Sequence, residues 1–446
     1  MSGPVADLKT ISGDVSQTSV QSSFIEAAQN ILRQCDTLAR LSSLAPPSIC
    51  RTFLTDQHRA ANDLVADWMR CAGMSVREDN AGSVCGRYES SDLQAPILLL
   101  GSHLDTVPNA GRYDGTLGVL LAVAAVARLQ ADGIRLPYHL DVIGFGDEEG
   151  VRFGATLLSS RATAGSWDND WLALRDAAGV SLAEALETFG LARDRVAMAS
   201  RRAENLLGYL EIHIEQGPVL EDRGIPLGVV TSIAGTRRLL VQVRGSAGHA
   251  GTVPMNMRRD ALVGAALGIA LLETIAREQG VTATVGRISC APGALNVIPG
   301  DVEFSVDIRS GEDALRDQAL QSFLDEFGRL CSLRGLELNT RQIHHADATP
   351  CTDWMQELLA DAATRIGVSP IHLESGAGHD AMALASLCDV GMLFLRCRGG
   401  ISHHPDESVT VEDVGISLAA LLAALELLVD RQTSVLARRR MTRNPT

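Results

Sequence analysis

Lysine is almost missing from this chain of 446 residues: Lys9 stands alone, and arginine supplies the rest of the 39 basic side chains. Schiff-base and P-loop chemistry are thereby nearly excluded, because the one amine sits in a polar N-terminal stretch. Basic charge is short as a whole. Set against 54 acidic residues, it leaves a formal charge of −15, which argues against phosphate-backbone binding and against an anionic membrane surface. No C-x-x-C occurs among the nine cysteines, so neither a zinc knuckle nor a redox pair is written here. Scattered free thiols fit a reducing, cytoplasmic setting. Apolar runs stop before the roughly 18 uncharged residues a membrane span needs, and Met1 to Ser19 lacks the apolar core of a signal peptide. G-x-S-x-G, the serine-hydrolase elbow, is absent. Gly144-Phe-Gly146 has the wrong spacing to Gly150 for a dinucleotide fingerprint. It would also set Asp147, Glu148 and Glu149 against a pyrophosphate.

What is present reads as globular, with 46% apolar and 21% charged residues. The length suits two or three domains at roughly 150 residues each. Ala95–His103 and Tyr138–Gly146 are apolar strand-like runs that end on polar residues, and an Ala-rich helical stretch, 115–130, lies between them. Strand, helix, strand predicts an α/β unit with a mainly parallel central sheet, whose ligands gather at the carboxyl ends of the strands. The stretch 233–347 instead reads βαββαβ, the ferredoxin-like α+β order, before the first style resumes. The expected organisation is a loose tail over 1–21, a catalytic domain over 22–232 and 348–432, an inserted α+β domain over 233–347, and an exposed Arg-rich tail over 433–446.

Four of the eleven histidines occupy polar, glycine-bearing contexts: His103, His213, His249 and His403. Asp105, Asp114 and the adjacent pair Glu148-Glu149 accompany them. Neutral imidazoles and carboxylates are the ligands of a divalent-metal site, and a further carboxylate commonly orients an imidazole. Asp105, two residues beyond His103 at a strand end, is placed to do so. Adjacent glutamates offer two jobs, one binding metal and the other taking a proton from metal-activated water. One histidine alone is more often structural; several strand-end clusters of one ligand chemistry are not.

The segments GSHLDTVPNAGRYDG, GDEEGVRFG, HIEQGPVLE, GHAGTVPMNMRRDA, LNVIPG, SGAGHDAM and CRGGISHHPDE follow the order found in the hydantoinase/carbamoylase family of metal-dependent amidases, which the chain resembles over about residues 22–430. That family belongs to the aminoacylase/carboxypeptidase superfamily. The wording around DEEGVRF and RCRGGISHHPDE looks most like allantoate amidohydrolases, with N-carbamoyl-L-amino acid hydrolases and β-ureidopropionases as close alternatives. The resemblance implies two divalent ions per subunit, Mn²⁺ or Zn²⁺. His103, Asp114 and His213 would hold one, and Asp114, Glu149 and His403 the other, with Glu148 as general base and Asp105 orienting His103. A hydroxide shared by the two ions would attack the ureido carbonyl, giving ureidoglycine, ammonia and CO₂.

By the same resemblance, Gln216, Arg238, His249, Asn296, Arg309 and His379 would bind substrate. His249 would also stabilise the oxyanion. The insert would act as a lid and homodimerisation domain, sending residues into the partner's site. Serines at 159 and 160 stand where a glycine-serine pair is expected. His58, His139, His344, His345 and His372 read as structural. An aminoacylase or dipeptidase, or a non-catalytic binding protein on the same fold, are the rival readings; the second would require a lost ligand or base, and none is lost.

Overall fold

The computed structural model describes residues 17–443. It divides into two compact units. One comprises residues up to Thr231 together with Cys351–Leu373 and Gly378 onward; the other comprises Ser232–Pro350 and Glu374–Ala377. Most of the loose tail expected over 1–21 lies outside the described residues, and a helix already runs from Gln17 to Ala39. At the other end the helix Val411–Arg443 continues well past residue 432. Residues 431–443 contain no Pro or Gly to stop it.

The first unit is built on a sheet whose centre is parallel. Strand His139–Phe145 lies beside Ile97–His103, then Leu206–Ile214, then Val390–Leu395, all pointing the same way. Antiparallel strands flank them: Val84–Tyr88 on one side and Leu227–Ile233 on the other. The four central strands are buried at every position, as continuous apolar runs covered on both faces require. The helix Thr116–Ala131 is apolar nearly all round. It joins the helices Gln17–Ala39, Asp353–Arg365 and Val411–Arg443 in the main core. Buried Asp141 on this sheet is gripped by both nitrogens of the Arg87 fork at 2.7 Å and by Arg201, which offsets the desolvation of its charge.

The second unit has an antiparallel sheet in the order Ile288–Ala291, Asp301–Ser310, Gly235–Arg244, Glu337–Ala346. Helices Ala261–Gln279 and Asp313–Leu333 share its core of Leu239, Val241, Val243, Phe304, Ile308, Phe323 and Phe327. Asp260 caps the first helix by accepting the N–H groups of Leu262 and Val263, and Gly280 ends it in the left-handed region. The second strand of the βαββαβ order is broken into two pieces, Thr282–Thr284 and Ile288–Ala291. The register against Asp301–Ser310 slips by one residue between the pieces, a bulge around Gly286. Burial alternates strictly along Asp301–Ser310. Asp301, Glu303, Ser305, Asp307 and Arg309 therefore share the face away from the core.

Candidate metal centre

Parallel strands bring their carboxyl ends to one edge, and the reactive residues are collected there. His103 is the last residue of Ile97–His103, and His213 is the penultimate residue of Leu206–Ile214. Glu148 and Glu149 lie just beyond Phe145, and His403 lies in the loop after Val390–Leu395. Three groups of side chains have potential ligand atoms within 4.8 Å of one another: His103, Asp114 and His213; Asp114, Glu149 and His403; and His103, Glu148 and Glu149. Asp114 is common to the first two. One carboxylate oxygen lies 3.1 Å from His213 Nε2 and 3.5 Å from His103 Nε2, while the other lies 3.2 Å from His403 Nε2.

The hydrogen bonds behind the imidazoles test whether a cation fits. His103 Nδ1 lies 3.0 Å from the Asp105 carbonyl oxygen, and His213 Nδ1 lies 2.9 Å from that of Ile214. A carbonyl only accepts, so each Nδ1 carries the proton and each Nε2 presents its lone pair to Asp114. The Gly115 amide donating to His213 Nε2 at 3.2 Å agrees with that tautomer. Lone pairs facing a buried carboxylate need a cation or a second imidazole proton between them. With protons alone, burial is the largest influence and opposes the charge on His103 and His213, yet hydrogen bonding to Asp114 and the charges of the surrounding carboxylates together outweigh it and push both imidazoles up. His403 is pushed up to about 10 by Asp114 and Glu149. Burial would raise Asp114, but its three imidazole partners hold it well below the usual carboxylate range. The donor set fits a divalent cation, and the absence of cysteine from all three groups suits Mn²⁺ and Zn²⁺ alike.

Local backbone geometry serves this crowding. Gly115, at φ +63°, lies under the His103 ring; a Cβ there would come within 2.4 Å of it. Asp147, Gln216 and His403 are non-glycine residues at positive φ, a strain of about 1–3 kcal/mol each that the surroundings must hold. Glu148 is almost fully buried. Its burial, with Glu149, Asp380 and Asp105 nearby, pushes it well above the usual carboxylate range despite the attraction of His103.

In the first unit, the other expected residues are each tied to a neighbour in the cluster or lie beside it. The Asp105 carboxylate is 3.7 Å from His103 Nδ1; it is the main-chain carbonyl that meets the ring, and the carboxylate instead accepts the amides of Glu148 and Glu149. Gln216 donates its side-chain amide to Asp114 and to Ser402 Oγ, both at 2.9 Å. His379 is buried behind His213, ring centroids 4.6 Å apart, and burial beside that imidazole pushes it well below its ordinary value. His404 is exposed and takes the Asp406 amide at its Nδ1, outside every ligand group. Ser159, at the departure from the family wording, bonds both the N–H and the C=O of Gly146.

The remaining four belong to the second unit. His249 and Asn296 lie side by side there, because Val297 pairs with His249 in a short ladder. Register sets Arg238 opposite Asp307, and Arg309 lies two residues along on the same face. Both guanidinium groups grip Asp307: Arg238 Nε at 2.8 Å, Arg309 in a fork at 2.9 and 3.0 Å.

Sequence reasoning missed Glu407, Ser402, Glu211 and Asp380. Glu407 and Ser402 flank His403 in Ser-His-His-Pro-Asp-Glu, and Glu211 lies two residues before His213, on the same strand face. Glu211 accepts Ser102 Oγ at 2.9 Å and the Ala381 amide at 3.1 Å. Asp380 is wholly buried, and burial with Glu211 nearby holds it well above the usual carboxylate range.

Imidazoles and carboxylates grouped about one shared aspartate, with a buried glutamate alongside, are a set of side chains that could hold divalent cations, as a metal-dependent hydrolase requires. The chain belongs to Peptidase family M20/M25/M40, whose model matches residues 99–427. It is 41% identical over 435 residues to an allantoate deiminase of Arabidopsis thaliana, covering 89% of this chain and 83% of that one. It is 40% identical over 374 residues to an N-carbamoyl-L-amino acid amidohydrolase of Geobacillus stearothermophilus, covering 84% and 91%. The crystal structure of a hydantoinase/carbamoylase-family amidase from Burkholderia multivorans superposes with a TM-score of 0.84 at 32% identity, over 89% of this chain and 97% of that one. The family resemblance carried by the seven sequence segments is thus borne out.

Proposed function

We propose that the chain hydrolyses the ureido C–N bond of allantoate, yielding ureidoglycine, ammonia and CO₂. The observation that carries this reading is the carboxylate of Asp114 shared between two ligand groups beside buried Glu148, in a chain 41% identical to an allantoate deiminase. His103, Asp114 and His213 would hold one divalent ion, and Asp114, Glu149 and His403 the other. Bound there, the pair supplies Lewis acidity that polarises the carbonyl and makes water a nucleophile near neutral pH. Glu148 takes the water's proton and hands it to the leaving nitrogen, and its raised proton affinity suits both transfers. Water adds to the carbonyl carbon, the C–N bonds break, and the substrate's amine, ammonia and CO₂ balance the one water consumed.

The strand order of the second unit supports a ferredoxin-like arrangement, and we read that unit as a lid. There Arg238 and Arg309 would bind the substrate carboxylate, Asn296 a ureido arm, and His249 the oxyanion. The same unit supports a homodimer. Leu262, Val263 and Leu267 form an exposed apolar stripe on its first helix, and Glu337–Ala346 is paired along one edge only. Light scattering should show a dimer that Leu267→Asp weakens. Among the described residues no helix is long and apolar enough to cross a membrane, and all nine cysteines are free thiols, which favours the cytoplasm.

N-carbamoyl-L-amino acid hydrolysis is the second reading, favoured by the Geobacillus relative's identity. A panel of allantoate, N-carbamoyl-L-amino acids and β-ureidopropionate, offered to Mn²⁺- or Zn²⁺-loaded protein, decides between them. Allantoate should give the highest kcat/KM; an N-carbamoyl amino acid ahead of it overturns the substrate and leaves the chemistry standing.

A further inference from the structure

The two ligand groups that share Asp114 are held in unlike ways. His103 and His213 project from strand ends, each ring locked by its Nδ1–H to a main-chain carbonyl. His403 has no such lock. It sits in a loop at φ +55° with its side chain half exposed. Asp114 is also in a loop, the one between Ile97–His103 and the helix that begins at Thr116. Something must register these two loops if Asp114, Glu149 and His403 are to meet.

Glu407 makes that connection. It is 3% exposed, and its Oε1 accepts the backbone amides of Tyr113 at 2.7 Å and Asp114 at 3.1 Å. Its Oε2 lies 3.3 Å from Ser402 Oγ, which also lies 3.0 Å from the Asp114 carboxylate. Glu407's own amide closes a turn onto the His404 carbonyl at 3.0 Å, so the same residue shapes the loop that carries His403. Gly111 lies flat against it: a Cβ there would come within 2.4 Å of the Glu407 side chain. One buried carboxylate therefore ties the backbone bearing the shared ligand to the loop bearing the exposed one. None of its bonds reaches His103 or His213.

We propose that Glu407 is a positioning residue that holds the Asp114 and His403 loops in register, and that the protein needs it to keep one of its two divalent ions. The ion at Asp114, Glu149 and His403 depends on it; the ion at His103, Asp114 and His213 largely does not. Glutamine can substitute in part, because a single amide oxygen can accept both N–H groups that Oε1 accepts now.

The proposal rests on the two-ion reading above. Its test is Mn²⁺ titrated into metal-free full-length protein, with binding followed by calorimetry and by ion content after gel filtration. Wild type should take up two ions. Glu407→Ala should keep the tighter ion within a few-fold and weaken the other by about 10–100-fold, the range for removing a group that orients metal ligands. Glu407→Gln should recover most of that loss, which general destabilisation of the fold would not predict. Gly111→Ala, which presses on Glu407 from outside the ligand set, should show the same selective weakening, and it keeps the test available if Glu407→Ala does not fold. Two ions bound by both Glu407→Ala and Gly111→Ala with wild-type affinities overturn the proposal alone. A single ion in wild type overturns the two-ion reading and the proposal with it.

Discussion

Asp105 holds Glu148 by the backbone: its Oδ1 accepts the Glu148 amide at 3.1 Å while its Oδ2 accepts that of Glu149 at 3.3 Å. Its main-chain carbonyl meanwhile faces His103 Nδ1. One residue thus sets a histidine tautomer with its backbone and places the acidic pair with its side chain. Asp105→Asn separates the two jobs, because the carbonyl stays and one carboxylate oxygen becomes an NH₂ facing a backbone N–H. We expect kcat to fall about 10–100-fold while two Mn²⁺ ions still bind. Steady-state kinetics beside ion content checks this, and equal losses in both would assign the carboxylate to the metal instead.

Glu148 should be separable from metal binding. It meets His103 and Glu149 in the third ligand group, yet the two groups that share Asp114 are complete without it. Glu148→Gln keeps the shape and removes the proton acceptor. It should bind both ions and substrate, with kcat lower by about 10²–10⁴-fold. Single-turnover rates on metal-loaded protein measure it; a near-wild-type kcat removes Glu148 as the base.

Much of this candidate centre was legible because the sequence writes imidazoles and carboxylates, the side chains that could hold a metal, at strand ends. His103, Asp114, Glu149, His213 and His403 could be placed by motif, and the parallel strands bring four of the five to one edge. Partners that act through the backbone were harder to read. Nothing in the spacing of Glu407 from Asp114, almost three hundred residues away, announces that one accepts the other's amide. The family resemblance pointed Gln216 toward substrate and gave no sign that its side-chain amide also donates to the Asp114 carboxylate. The break between Thr284 and Ile288 in the second strand of the βαββαβ order was hidden for a different reason. A bulge preserves apolar alternation on either side and changes only the register.

Proton release should accompany metal uptake. The imidazoles of His103, His213 and His403 are all pushed up by Asp114 and its neighbours in the metal-free centre, so cations displace protons and bind more weakly as pH falls. The same shifts set a stability trend. A histidine raised above its unfolded value of about 6.5 stabilises fully below that pH, and loses the contribution as pH climbs through its folded value, about 10 for His403. Metal-free protein should therefore lose thermal stability from neutral pH toward 10, and Mn²⁺-loaded protein should not. Calorimetry in buffers of differing ionisation enthalpy counts the protons. Release of none would mean that the imidazoles are already neutral.

Asp307 holds both Arg238 and Arg309, and if these arginines bind the substrate carboxylate as proposed, it allows orientation to be told apart from charge. Arg309 makes a two-pronged bond to Asp307 and a third, at 2.7 Å, to the Gly376 carbonyl. Its planar group is fixed before any substrate arrives. Asp307→Ala removes a negative charge beside two guanidinium groups. If these arginines acted by charge alone, an anionic substrate would then bind better and KM would fall. If they act by orientation, the freed side chains must be ordered on binding and KM should rise, by about 3–10-fold for an ordering cost near 1 kcal/mol. We expect the rise, with kcat changed less. Arg309→Lys should raise KM as well, since an ammonium keeps the charge but cannot reproduce the fork. A lower KM in Asp307→Ala together with an unchanged KM in Arg309→Lys would show that charge, not geometry, governs the grip on the carboxylate.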